Sequence, residues 1–562
     1  MTAPHSTGSS PEDRDTLPPA MDPHEGKGTM EPPRTWWGTL AQLGPGLVIA
    51  GSIVGSGELI ATTKTGAQAG ISLLWLIVAG CLIKVFVQIE LGRHSISRGE
   101  TTLSALNQFP GKIGPVNWIL WFWVLMMTAS MAQLGGIVGG VGQSLALAFP
   151  LTGDYKDAIS VPSSDEVKWL LKWQDDLKSG GAEFHKQIPE RQERISTGMA
   201  RLEDQLEGLG ERGDDFIRRV RKLGPKDKIA DPWTWDDRYW ALVVGVFTIF
   251  LLYRGKYGII EHLSTALVVL FTFITIGNVV SLQFTQKWSL SAADFARGFQ
   301  FRLPPGDDPW KPLYTALATF GIIGVGATEL ITYPYWCIEK GYARYTGEWN
   351  ESETWLRRAK GWLRVMHYDA FLSMIVYTVA TIAFYLLGVA VLYREGRDPN
   401  DMRMVSTVAA AYVPVFGAYA GWLFLLGAFA VLYSTFLVAN AGHSRMFTDA
   451  AKIFGMIPKH DQKVHDKTVT FLCVFLPSLC VVSHWSGIDP VKAVMFAGLM
   501  QAAMLPMIAA GALYHRYKSC DPRLAPPLWW DICLFISFVG LLIAGGWGAW
   551  GKVLDLIAKF RG

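Results

Sequence analysis

Apolar runs long enough to cross a bilayer recur from about residue 43 to about residue 550, each closed by a short polar or basic stretch. A helix needs about twenty mostly apolar residues to span the hydrocarbon layer. The pattern predicts eleven spans, at roughly 43–63, 71–91, 117–148, 239–253, 259–284, 313–338, 366–393, 418–441, 468–484, 489–514 and 526–549. One region breaks it. Residues 151–238 are strongly charged, and within them Ile195, Met199, Leu202, Leu206 and Leu209 recur at three- and four-residue steps, the period of an amphipathic helix. This predicts a soluble helical insertion between spans three and four, either packed on its own membrane domain or offered to a protein partner.

Residues 1–40 are rich in Pro, Ser, Thr, Asp and Glu and have no basic start followed by an apolar core and a small-residue cleavage site. They are expected to form a disordered cytoplasmic tail. The domain order is then the tail, spans one to three over 41–150, the insertion over 151–238 and spans four to eleven over 239–562. Half of the residues are hydrophobic and 18% are charged, which fits a polytopic all-helical membrane protein. The net charge of +3, with basic residues dispersed among loops, excludes a nucleic-acid footprint. The six cysteines form no metal-type pair, and no nucleophile–base motif or cofactor fingerprint occurs, so neither an enzyme nor a cofactor is expected. Basic residues such as Arg93, Arg98, Arg254, Arg357, Arg358, Arg445 and Lys452 fall on alternate loops. This places the N-terminus on the cytoplasmic side of the cell membrane and the insertion outside.

The candidate chemistry lies where two apolar segments are interrupted. The first span carries Gly55-Ser56-Gly57-Glu58-Leu59-Ile60, and the sixth answers with Gly326-Ala327-Thr328-Glu329-Leu330-Ile331. Paired interruptions at matching positions of two halves mark secondary transporters built from inverted repeats, whose site forms between the two broken helices. Glycine and serine permit the break, and backbone freed from the helical ladder is tolerated in lipid only where it lines a cavity. A carboxylate at such depth is costly and marks an ion or proton path. Glu58 and Glu329 are therefore expected to face one central site, with freed carbonyls and the hydroxyls of Ser56, Thr328 or Thr332. A buried ion pair with Lys84 or Lys64 is the alternative. Lys84 on the second span is placed to snorkel toward the cytoplasmic end; with Glu90 it is also a candidate for coupling.

At these residues the chain resembles the Nramp family of divalent metal ion transporters, within the amino acid/polyamine/organocation superfamily. The segments "GPGLVIAGSIVGSGELIATTKTGAQAG" and "GISLLWLIVAGCLIKVFVQIELGRHSISRGETTL" are similar to the family's first and second spans. "LLYRGKYGIIEHL" is similar to the junction of spans four and five, and "GIIGVGATEL" to the start of the sixth. The resemblance implies a LeuT-type fold: two inverted five-helix repeats plus an eleventh span, with spans one and six broken. It implies alternating-access transport of a divalent metal ion, the metal being substrate and not cofactor.

The motif residues differ from the family's. Its first-span Asp-Pro-Gly-Asn is replaced by Gly55, Ser56, Gly57 and Glu58; its sixth-span Met-Pro-His by residues ending at Thr332, which stands in the histidine position. An all-oxygen site suits hard ions such as Mg²⁺, Ca²⁺ or Mn²⁺. The resemblance also suggests Gln501, ahead of Leu505-Pro506, as a metal-holding glutamine, whose alternative is an interhelical hydrogen bond. His443, Asn440 and Ser434 on the eighth span are lesser polar candidates. Proton coupling stays open. So do two other functions: transport of a small organic cation or amino acid on the same fold, and a non-transporting sensor or assembly protein working through the insertion.

Overall fold

A computed structural model describes residues 28–55, 57–225, 227–254, 257–305 and 309–561, with side chains at all of them except 257, 259, 261, 418, 420 and 549–561. Eleven spans follow the apolar pattern. The first is Pro45–Ile53, then, after a break, a π-helical turn Gly57–Thr62 that runs on as Thr63–Ala69. The second comprises Leu74–Leu82 and Lys84–Arg98, and the third to fifth are Trp118–Ala148, Asp236–Arg254 and Tyr257–Leu282. The sixth is broken into Trp310–Ile322 and Ala327–Lys340. The seventh, Glu353–Leu387, ends in a π-helical turn Gly388–Tyr393. Ala420–Ile453, Gln462–Trp485, Pro490–Lys518 and Leu528–Arg561 complete the set.

Among the described residues nine helical runs are apolar and long enough to cross a membrane unaided. The second span joins the lower half of the first in one run, Gly57–Arg98, and the fourth carries too much charge at its ends to count alone. Helix starts are fixed by polar caps, which satisfy backbone N–H groups that have no intrahelical partner. The Asn117 carboxamide accepts from the N–H of Ile119, Ser352 from that of Trp355, and Asp489 from those of Val491 and Lys492. Spans one to five and six to ten each open with a broken helix, the LeuT-type arrangement. Span ten packs along spans three and eleven and the first half of span six, which places the two breaks side by side within the bundle.

Two expectations are corrected. Residues 28–40, expected to end a disordered tail, are bound to one end of the bundle: the Met30 N–H donates to the Tyr345 carbonyl at 3.1 Å, Trp362 Nε1 donates to the Met30 carbonyl at 2.9 Å, and Arg357 pairs with Glu31 at 2.8 Å. Residues 1–27 lie outside the described residues. The seventh span begins thirteen residues earlier than its apolar run because 353–365 is amphipathic; Trp355, Leu356, Ala359, Trp362 and Leu363 are buried while Arg357 and Lys360 are exposed.

The insertion is helical, and its hairpin of Ser164–Lys178 and Pro189–Gly208 has its own apolar core of Val167, Leu170, Trp173, Ile195, Met199, Leu202 and Leu206. It packs on the opposite end of the bundle from residues 28–40. Arg194 donates to the Ala67 carbonyl at 3.2 Å and lies over the Tyr393 ring at 4.4 Å; the Tyr155 hydroxyl donates to the Met402 carbonyl at 2.6 Å. Between the insertion and the ends of spans one, six and seven is a charged cleft of about 450 Å³.

Candidate functional site

The two breaks expose helix ends inside the bundle, and most of these ends are closed by side chains. The carbonyls of Gly51 and Ser52, at the end of the first half-helix, accept from Ser434 (3.1 Å) and Thr435 (3.0 Å) of span eight. Lys84 is completely buried, donates to the Phe320 and Ile323 carbonyls at the end of Trp310–Ile322, and lies 4.7 Å over the Phe320 ring. This corrects the snorkelling expectation. The ammonium neutralises the negative end of a half-helix dipole, and an unpaired carbonyl there would cost about 1–3 kcal/mol. The alternative, an ion pair with a glutamate, is absent among the described residues for Lys64 as well, which pairs with Asp398 at 2.6 Å.

Beyond the second break, Gly326 caps Ala327–Lys340 and puts Glu329 in its first turn. Ser52 donates to Glu329 Oε1 at 3.0 Å, and the Thr328 hydroxyl lies 2.7 Å from Oε2. Gln501 Oε1 accepts from the Thr328 N–H at 3.4 Å and lies 3.1 Å from its hydroxyl, while Gln501 Nε2 donates to Gln133 at 2.9 Å. A Cβ on Gly326 would fall 2.5 Å from Glu329 Oε2 and 2.9 Å from Gln501 Oε1, so only glycine leaves these two groups in place. Glu329, Thr328, Gln501, Gln133, Ser52 and Gly57 line one small buried cavity with Ser130, Thr435 and His443. Its volume is about 20 Å³. That is room for one water-sized occupant.

The other expected residues divide. Glu58 does not line this cavity. Its Oε2 accepts from the Gly55 N–H of its own break at 3.2 Å, and its Oε1 lies 2.9 Å from the Thr381 hydroxyl of span seven. The π-helical turn at Gly57–Thr62 rotates it toward span seven, so the two glutamates do not face one space, contrary to expectation. At Gly55 a Cβ would lie 1.6 Å from Thr435 Oγ1, so no side chain fits there. Ser56 lies outside the described residues. Ala327 is fully buried. Thr332 points away, donating to the Thr328 carbonyl at 2.6 Å beside Met446 Sδ at 3.3 Å. Glu90 is tied to Arg93 at 3.2 Å and to Trp530 Nε1 at 3.2 Å, away from the cavity. Asn440 turns back on its own helix, to the Phe436 carbonyl.

Sequence reasoning missed Ser52, Ser130 and Gln133. The signal was present in span three as polar residues in an apolar, glycine-rich helix, but they carry no charge to attract notice. Among the described residues no three acidic, histidine or cysteine side chains converge as a metal cage. The lining offers one carboxylate, amide and hydroxyl oxygens and the His443 ring.

Contacts cross the bundle on either side of the cavity. On the insertion side, Lys64 binds Asp398, the Pro399 carbonyl and Asn400, Thr65 meets Thr319 at 2.8 Å, and Thr315 donates to Gln68 at 2.8 Å. On the side of residues 28–40, the Asp369 carboxylate accepts from Gly44 (2.9 Å), Gly46 (2.5 Å) and the Tyr333 hydroxyl (3.0 Å).

Residues 234–550 match the family model described as "Nramp: Natural resistance-associated macrophage protein-like". No curated protein sequence matches the chain. In fold the chain is similar to the crystal structures of two mutants of the manganese transporter of Eremococcus coleocola. Each is 15% identical over 96% of this chain and 92% of that chain, with TM-scores of 0.59 and 0.58. The same transporter in complex with an aromatic bis-isothiourea substituted compound matches at 15% identity over 94% of this chain and 91% of that chain, with a TM-score of 0.55.

Proposed function

The chain belongs to the Nramp family, whose members are metal-ion transporters and not enzymes, and from that premise we propose that it carries a divalent cation through the cavity between its broken spans. The observation that carries this reading is Glu329. A carboxylate at the first turn of a half-helix, deep in the bundle, is held by hydroxyls against a cavity of water size. Such a charge is expensive in a membrane unless it meets a cation. Glu329 is the charged ligand; Gln501, Thr328 and Ser52 orient it and supply neutral oxygens. Glu58 and Lys84 are supports that hold the two breaks open.

Transport follows from the two closures. On this reading an occluded state has both sets of contacts made; opening the Lys64–Asp398 contacts would expose the cavity on the insertion side, and opening the Asp369 contacts would expose it on the other. The volume of about 20 Å³ favours a bare or nearly dehydrated ion over an amino acid or polyamine. The expected relay groups Lys84 and Glu90 are both committed to other partners. This favours downhill movement of the cation without a dedicated proton path. The protein belongs in a membrane, with residues 28–40 on the cytoplasmic side and the insertion outside.

The test is uptake into liposomes holding the purified protein and a metal-sensitive fluorophore, with Mn²⁺, Mg²⁺ and an organic diamine as competing solutes. Saturable metal uptake that disappears in Glu329→Gln is expected. Diamine uptake without metal uptake would overturn the reading.

A further inference from the structure

We infer that His443 of span eight is a nitrogen ligand of the transported cation and sets its selectivity. The inference rests on the transport reading above and deepens it. It begins from hydrogen-bond accounting around the central cavity. Glu329, Thr328, Gln501, Gln133, Ser52 and Thr435 all have partners. His443 Nδ1 and Ser130 Oγ are buried and have none, although both residues line the cavity. His443 is 4% exposed and Ser130 2%. Buried polar atoms without partners are rare, and two of them on residues that line one cavity point to an occupant that completes them.

Position reinforces this. His443 follows Gly442, where a Cβ would lie 2.6 Å from the Thr332 methyl, so span eight lies directly against the second half of span six. The imidazole reaches the cavity from span eight and Ser130 from span three, while Glu329 enters from span six. An occupant with vacant coordination positions joins these elements: a carboxylate oxygen from one, an imidazole nitrogen from another and a hydroxyl from a third. Imidazole nitrogen is a poor ligand for Mg²⁺ and Ca²⁺ and a good one for first-row transition ions. One nitrogen in an otherwise oxygen-lined site therefore turns the preference away from the hard ions that the sequence suggested. An imidazole that accepts a metal at one ring nitrogen is neutral, so the site's charge remains that of Glu329.

The test uses the full-length protein in detergent and in liposomes. Mn²⁺ bound to the wild type is examined by electron spin-echo envelope modulation, which reports directly coordinated nitrogen. Uptake of Mn²⁺, Co²⁺, Mg²⁺ and Ca²⁺ is compared for wild type, His443→Ala and His443→Gln. Nitrogen modulation in the wild type is expected, lost in both variants. Half-saturating Co²⁺ should rise by about tenfold or more, while that of Mg²⁺ stays within about threefold. Metal uptake by the wild type without nitrogen modulation overturns this inference and leaves the transport reading standing, whether or not the variants fold. Unchanged Co²⁺-to-Mg²⁺ preference in both folded variants overturns it as well. Absence of any metal binding or uptake by the wild type overturns the transport reading itself.

Discussion

Two glutamates that look equivalent in the sequence have different work in the fold. Glu329 faces the cavity, whereas Glu58 closes the first break against Gly55 and Thr381. Sequence pairing found both because each follows its break at the same distance; it did not foresee the π-helical turn that rotates one of them away. Glu58→Gln should therefore lower thermal stability by about 1–3 kcal/mol, the usual cost of weakening a buried hydrogen bond. Metal affinity should stay within about threefold; differential scanning fluorimetry and calorimetric titration measure the two quantities. Lys84→Met, which strips the cap from two buried carbonyls, should cost about 3 kcal/mol or more and be the more damaging change. At the insertion end, burial and the neighbouring Asp489 carboxylate push Asp401 up to about 6. A raised carboxyl contributes stability that is complete below its unfolded value near 3.8 and is lost as pH rises through about 6. Asp401→Asn should accordingly unfold at a higher temperature than wild type at pH 8, by about 1 kcal/mol after allowance for partial exposure. The gap should close by pH 4. A wild-type advantage at pH 8 would contradict the sign.

At the scale of elements, hydropathy revealed the spans because the lipid demands them, and it was least informative where charge and helix coexist. The amphipathic start of span seven and the bound segment 28–40 escaped it; both are held by contacts with residues far along the chain, such as Trp362 with Met30. The breaks were legible from glycine and from their repetition. The caps that make them tolerable were not, because Ser434, Thr435, Lys84 and Asp369 come from other spans. The lower half of the first span is latched at its end by Lys64 to Asp398 and Asn400. Asp398→Ala removes the charged partner, and amides over 57–69 should then exchange hydrogen faster, while those of span three keep wild-type rates. Equal exchange over 57–69 would show that the latch does not hold that half-helix.

At the scale of the whole molecule, the period of the insertion groups Ile195, Met199, Leu202, Leu206 and Leu209 on one helix face; the first four lie in its apolar core and Leu209 does not. Its seat beside Gln68 and Asp398 was not readable, since nothing in the period of a helix says which surface it will meet. That seat puts a charged cleft over the approach to the first-span latch. In inside-out and right-side-out vesicles, a cysteine introduced at exposed Gly180 should react with a membrane-impermeant thiol reagent only from the face opposite to one introduced at exposed Lys459. Reaction of both from one face would reverse the expected crossing pattern.

The central claim is that one carboxylate, Glu329, holds the cation in a cavity of water size between two broken helices. Isothermal titration of Mn²⁺ into purified wild type and Glu329→Gln tests it most directly. The account predicts saturable binding by the wild type and a loss of about a hundredfold or more in affinity for the variant, with its thermal stability kept. Binding of equal strength by both proteins would contradict it.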